Sequence, residues 1–203
     1  MRNKMSDPCL ELHRQKQDRK KRGGEWVENF IFPRLIEYDL SAINLEIGCG
    51  HGHWLVNYSQ TETSQLFVGI DLISKRIKKA ASKVTKQNLK NIFFYKAEAT
   101  EFIECLDTKI SKTFIMYPDP WPKHKHHKRR LIQLPFLKLL YSRTLDDGEF
   151  YFKTDHSGYF EWATSMVSES TYWKIIDKEW PHKAKSYFSE LLPKNQFFCA
   201  RRL

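Results

Sequence analysis

The sequence predicts an α/β fold: a doubly wound, mostly parallel sheet of seven strands that closes on a C-terminal antiparallel hairpin. Two observations carry that expectation. Short apolar runs rich in β-branched and aromatic residues recur near 43–47, 66–71, 92–95, 113–117 and 149–153, each about the length of one strand. Segments of helical spacing lie between them, at 53–59, 74–87, 99–106 and 134–145. Strand, helix, strand repeated in this way means a parallel sheet with right-handed crossovers.

Taken in chain order, residues 1–24 are polar and basic and end in Gly23-Gly24. They read as a flexible basic arm ahead of a single domain over 25–203. From Trp26 to Tyr38 apolar residues recur at mixed helical spacing around Pro33, which implies a kinked or broken helix. Pro135 stands near the start of the 134–145 helix and Gly148 beyond its end, the usual punctuation of a helix. After Asp155 a further helix near 157–168 leads to two strand candidates, 172–177 and 196–201, which can form the closing hairpin.

With 203 residues, 41% hydrophobic and 14% aromatic, the chain is long and apolar enough to fold around a sizeable core. No apolar run exceeds four residues, so neither a membrane span nor the core of a secretory signal can be built, and the expectation is a soluble, cytoplasmic protein. The four cysteines lie far apart in sequence and are expected to be reduced thiols. Lys and Arg number 34 against 24 Asp and Glu, a net charge of +10. Residues 2–22 contribute +5, residues 123–130 contribute another +5, and the rest sum to zero. Two basic patches point to a polyanion, with nucleic acid ahead of a membrane because neither patch alternates with apolar residues. The three histidines within 124–127 lack metal-site spacing, so no metal is expected.

The first strand ends in Leu45-Glu46-Ile47-Gly48-Cys49-Gly50-His51-Gly52. Gly48, Gly50 and Gly52 let the backbone turn sharply and lie close to a ligand. Position 53 is His53, not the glycine that a dinucleotide fingerprint needs. Glu46 ahead of this loop suits a cationic ligand. Asp71 ends the second strand about 20 residues further on, where doubly wound folds place an acid against ribose hydroxyls, and Glu98 follows the third strand. Three acids at three successive strand ends would line one crevice. The fourth strand runs into Tyr117-Pro118-Asp119-Pro120-Trp121-Pro122-Lys123, a stiffened loop that holds Asp119 and Trp121 at that crevice.

The glycine loop behind Glu46 resembles the first motif of the Rossmann-like class I methyltransferases that use S-adenosylmethionine. Pro118, Asp119, Pro120, Trp121, Pro122, Lys123, His126, Lys128, Arg129 and Arg130 resemble the signature of the tRNA (guanine-N7-)-methyltransferase family, bacterial single-chain type. Lys153-Thr154-Asp155 with Tyr159 is similar to that family's Thr-Asp segment, and the likeness runs from about Asn44 to the C-terminus. There are departures: Asp71 stands where the family commonly has Glu, Glu98 stands where it has Asp, and Ser186 and Glu190 match its substrate-pocket segment one residue out of register.

The resemblance implies transfer of a methyl group from S-adenosylmethionine to N7 of a guanine in the tRNA variable loop. It implies Glu46, Gly48, Gly50, Gly52, Asp71, Glu98 and Asp119 around the cofactor, with Asp119 the catalytic carboxylate. Asp155, Ser186 and Glu190 are expected at the guanine, Trp121 as a stacking face, and Lys123, Lys128, Arg129 and Arg130 at phosphates. Oligomeric state, monomer or homodimer, stays open. Other readings are a methyltransferase acting on another RNA or on protein, and a non-catalytic RNA-binding protein; a nicotinamide oxidoreductase is opposed by the glycine spacing.

Overall fold

A computed structural model describes residues 8–183 and 195–203. The chain opens with α1 (Pro8–Trp26), passes through a π-helical turn (Val27–Ile31) into α2 (Phe32–Glu37), and then alternates. The order is β1 (Ala42–Ile47), α3 (His53–Thr61), β2 (Phe67–Asp71), α4 (Ser74–Lys86), β3 (Ile92–Lys96), α5 (Ala99–Glu104) and β4 (Lys109–Met116). A 3-10 turn (His124–Arg129), α6 (Leu134–Arg143), β5 (Thr144–Thr154), α7 (Ser157–Glu169), β6 (Trp173–Ile176) and β7 (Gln196–Arg202) complete it.

The seven strands form one sheet in the order β3-β2-β1-β4-β5-β7-β6. The pairs from β3 to β5 are parallel, and β7 runs antiparallel between β5 and β6. Chain order reverses between β1 and β4, so the loops after β1 and β4 leave the same edge of the sheet side by side. A doubly wound sheet opens its ligand crevice at that point.

Alternation along the strands divides the core. On β5, Phe150 and Phe152 face the layer that holds Phe102, Phe136, Leu140 and Tyr159. Tyr151 between them faces the layer of Trp54, Tyr58, Phe114 and Trp180. A strand covered on both faces needs this continuous apolar run. Glu149, at the start of that run, is buried and accepts hydrogen bonds from Tyr151 Oη at 2.7 Å, Lys178 Nζ at 2.8 Å and Arg201 Nη2 at 3.1 Å. Burial raises its pKa, but those donors outweigh burial and hold it below the usual value.

The N-terminal segment differs from the expectation of a flexible arm, because Pro8–Trp26 is helical and docked. Lys16, Arg19 and Lys20 share one helical face. Arg19 makes a two-pronged contact with Glu101, its Nε and Nη2 donating at 2.8 and 2.7 Å, while Lys16 and Lys20 reach Glu104 at 3.6 and 3.2 Å. Close to them, a Cβ added at Gly23 would stand 2.8 Å from Cys105 Sγ, so glycine there permits the helices' approach. A charge count alone treats such cations as solvated, because their partners lie some 80 residues away in sequence. Around Pro33, where a kinked or broken helix is expected, the backbone stays helical from α1 through the π-helical turn into α2, with the proline in the first turn of α2. All four cysteines are unbridged.

Candidate active site

Residues at the ends of β1, β2, β3 and β4 converge on a cleft of about 460 Å³. Its lining includes Gly48 and Gly50 from the first loop, Asp71 and Ile73 from the second, Glu98 from the third, and Asp119 and Trp121 from the fourth. A smaller cavity of about 90 Å³ joins it, sharing Gly48, Gly50, Arg76, Met116 and Tyr117 and adding Glu46 and Trp54. The three strand-end acids and the proline-rich loop, read separately along the sequence, therefore share one cleft system.

Glu46 is 3% exposed, and among the described residues its Oε2 has no hydrogen-bond partner. Burial, reinforced by the neighbouring Asp71, pushes its carboxyl up to about 8. A buried polar atom without a partner is costly, and this one lines the smaller cavity, where a cationic ligand would satisfy it. Asp71 latches the glycine loop to the end of β2: Oδ2 accepts from Gly50 N–H at 3.0 Å and Oδ1 from Ile73 N–H at 2.8 Å. Oδ2 also accepts from Arg76 Nη1 at 3.5 Å, so Oδ1 is the oxygen that keeps a lone pair for a ligand hydroxyl. Glu98 also caps α5, its Oε2 accepting from Glu101 N–H at 2.9 Å.

The glycines do different jobs. Gly48 and Gly50 have φ of 77° and 57°, and a Cβ on either would meet nothing within 4 Å, so both face open ligand space. Gly52, with φ 68°, does not line the cleft: its Cβ would stand 2.5 Å from the Phe94 ring and 2.9 Å from Ala80 Cβ. Gly52→Ala is therefore expected to lower the thermal midpoint, by about 2–3 kcal/mol of overpacking and left-handed strain, whereas Gly50→Ala costs about 1 kcal/mol of strain and mainly weakens cofactor binding. Thermal unfolding and calorimetry on the two variants separate these effects.

The proline-rich loop is held under strain. Tyr117 and Trp121 have φ of 50° and 43° without being glycine, a conformation that persists only where the surroundings enforce it. Tyr117 N–H donates to Lys153 O at 2.8 Å, tying the loop's start to β5. Arg130 fastens its middle, donating from Nε to Pro120 O at 2.9 Å and from Nη1 to Gly158 O at 3.1 Å, with its guanidinium over the Tyr159 and Trp162 rings. This corrects the sequence expectation for Arg130. At 3% exposure and committed to two carbonyls, it braces the loop and does not present itself to a phosphate.

Arg129 does reach the cleft, its guanidinium 4.9 Å from the centre of the Trp121 ring. Arg130→Ala should cost about 3 kcal/mol of stability by orphaning two carbonyls and leaving a void, and urea denaturation checks it. Unchanged stability with impaired RNA binding would restore the phosphate role.

Lys123 and Lys128 are exposed beside this loop. Asp155 is exposed at the end of β5 and acts electrostatically on Tyr117, whose hydroxyl is raised first by burial and then by that charge. Ser186 and Glu190 lie outside the described residues. Sequence reasoning missed Leu72, Ile73, Met116 and Arg76 of the cleft wall. Leu72 and Ile73 carried a signal, two large apolar residues directly behind a strand-end acid, and both are exposed on the rim. Among the described residues no group of three or more His, Cys, Asp or Glu could hold a metal, and no helix is long and apolar enough to cross a membrane.

The site fits S-adenosylmethionine on three of these observations: the unpartnered buried carboxylate oxygen, the open glycine cradle, and a cleft running from them to Asp71 and Glu98.

Comparison with known proteins agrees in kind. Residues 41–192 match a family model described as "Putative methyltransferase". The chain is 37% identical over 126 residues to a tRNA (guanine-N(7)-)-methyltransferase of Wolbachia pipientis wMel, covering 62% of this chain and 57% of that one. It is 35% identical over 141 residues to the protein of that name in Mycoplasma genitalium, covering 68% and 67%. Among solved structures, the aminoglycoside resistance methyltransferase NpmB1 superposes with a TM-score of 0.58 at 16% identity, over 83% of this chain and 92% of the other, a likeness of fold.

Proposed function

The chain belongs to the tRNA (guanine-N(7)-)-methyltransferase family, and on that premise we propose that it transfers a methyl group from S-adenosylmethionine to N7 of a guanine in the tRNA variable loop. The observation that carries this reading is the shared cleft: strand-end acids suited to a nucleoside and the Asp119–Trp121 loop suited to a base line the same space.

S-adenosylmethionine, when bound, supplies an electrophilic methyl group on a cationic sulfur. Glu46 would take its ammonium, Asp71 its ribose hydroxyls and Glu98 its adenine amino group, with Gly48 and Gly50 allowing the close approach. N7 of guanine carries a lone pair and no proton, so the chain's residues need to orient rather than deprotonate. Asp119 faces the cleft from a loop that Arg130 braces. Its carboxylate would stabilise the positive charge the purine acquires. Trp121 would offer a stacking face to the extruded base, and Asp155 would accept from the guanine N1–H and amino group, donors that adenine does not pair in this way. Arg129, Lys123 and Lys128 would meet phosphates around the base.

Incubating the protein with tRNA and methyl-labelled S-adenosylmethionine, then cleaving the RNA chemically at N7-methylguanine, tests the reading. Label and cleavage in the variable loop are expected. Label transferred to another position, to another RNA or to protein would replace it, and absence of transfer would leave an RNA-binding protein without this activity.

A further inference from the structure

Outside its two basic patches the chain sums to zero charge, and that zero conceals a third patch. Residues 74–90 hold seven Lys and Arg and no acid, while the residues outside all three patches hold 14 Lys and Arg against 21 Asp and Glu. We propose that α4 and the turn behind it form a docking surface for the phosphate backbone of the same tRNA whose guanine enters the cleft. This deepens the function proposed above and rests on it.

The helix is built one-sidedly. Lys75, Lys78, Lys79, Lys83 and Lys86 fall within less than half its circumference, while Ile77, Ala80 and Val84 turn the other way, toward the core. Lys75, Arg76, Lys78, Lys79, Lys86 and Lys90 are exposed. Among the described residues, the contacts of this row are Arg76 to Asp71 at 3.5 Å and Lys83 Nζ to His51 O at 2.6 Å. On α1, by contrast, the cations of one face are met by Glu101 and Glu104.

Lys75, Lys79 and Lys83 follow each other at intervals of four, a like-charge spacing that destabilises a helix standing alone. The same field reaches the glycine loop: His51 is held below its ordinary pKa by burial first, then by Lys79, Lys83 and Arg76. A polyanion laid on this face would relieve the repulsion and release its own counterions.

The placement fits the reading. Because α4 follows β2, it starts at the crevice, and Arg76 in its first turn lines the same cleft as Arg129 of the turn behind the proline-rich loop. From there the row runs about 20 Å along the helix axis, a length over which a nucleic acid duplex presents more phosphates than the helix has cations. The other exposed residues from Ser74 to Lys90 are Ser74, Ala81, Ser82, Thr85, Gln87 and Asn88. The exposed Leu72 and Ile73 stand together at the cleft end of the row, so no large apolar residue alternates with the cations and a membrane surface is disfavoured.

The test is the full chain carrying Lys75→Gln, Lys79→Gln and Lys86→Gln together, compared with the parent for binding of a tRNA transcript across a salt series. Affinity for tRNA should fall about tenfold or more, and the slope of log K against log salt should become shallower by about 2 to 3. S-adenosylmethionine affinity should be unchanged and the thermal midpoint equal or higher, which shows that the fold and cofactor site are intact.

Parent-like tRNA affinity and salt slope in that variant would overturn the inference while leaving the proposed activity standing. A parent chain that does not bind tRNA at all would overturn both. Binding of the parent to phosphatidylserine vesicles, lost in the variant while tRNA binding persists, would assign the face to a membrane instead.

Discussion

Glu46→Gln is expected to weaken S-adenosylmethionine binding roughly 100-fold, the consequence of removing one member of a buried charge pair worth about 3 kcal/mol. Among the described residues Glu46 Oε2 is a buried atom without a hydrogen-bond partner, and Glu46 lines the smaller cavity of the cleft, where the proposed function puts the ammonium. Gln keeps the shape and one acceptor but loses the charge that a substituted ammonium would meet. If calorimetry gives parent-like affinity for a folded Glu46→Gln protein, the carboxyl is a buried acid without a ligand role.

The same residue fixes a pH dependence whose sign follows from its pKa of about 8 in the free protein. The folded value lies above the unfolded one, so the contribution of Glu46 to stability is fully present below about pH 4.5 and is lost as pH rises toward 8. The cofactor-free protein should therefore lose several kcal/mol over that interval, and Glu46→Gln should remove the loss. Cofactor binding runs the other way. Meeting an ammonium requires the carboxylate, so below pH 8 binding releases a proton and affinity rises by up to about tenfold per pH unit, until the ammonium begins to lose its own proton. Proton release is measured directly by calorimetry in buffers of different ionisation enthalpy.

How far the sequence revealed this site depended on whether a feature was local. The strands and helices of the parallel sheet follow from alternating apolar runs and helical spacing, so β1 through β5 and α3 through α7 lie where periodicity put them, within a few residues at most boundaries. Glu46, Gly48, Gly50, Asp71, Glu98 and Asp119 could be read as one site because this sheet class sends all its strand ends to one edge.

Partners distant in sequence were not legible. Nothing near Arg130 announces that its guanidinium will be taken by Pro120 O and Gly158 O, so it read as one more cation in a basic run. Gly52 looked like its neighbours until Phe94, from β3, was placed against it. The α1 helix was hidden for the same reason, its salt bridges closing on α5. The lysine row of α4 was legible locally and was masked by summing charge over too long a stretch.

Asp119→Asn carries the other large effect. Asp119 is exposed to the cleft, and among the described residues its side chain makes no hydrogen bond that would hold the loop. That bracing falls to Arg130 and to the Tyr117 backbone. Replacing the carboxylate by an amide should therefore leave the loop and both binding constants near their parent values. The positive charge on the purine appears as the methyl group passes, so a carboxylate that stabilises it acts mainly in the transition state, and its loss appears in kcat. Removal of one preorganised stabilising group costs roughly 100-fold to 1,000-fold. The expectation here is the lower end of that range, because N7 is already nucleophilic. Single-turnover rates at saturating tRNA and cofactor read this directly. A fall in tRNA affinity with normal turnover would make Asp119 a binding residue for the base, and near-normal values of both would remove it from the mechanism.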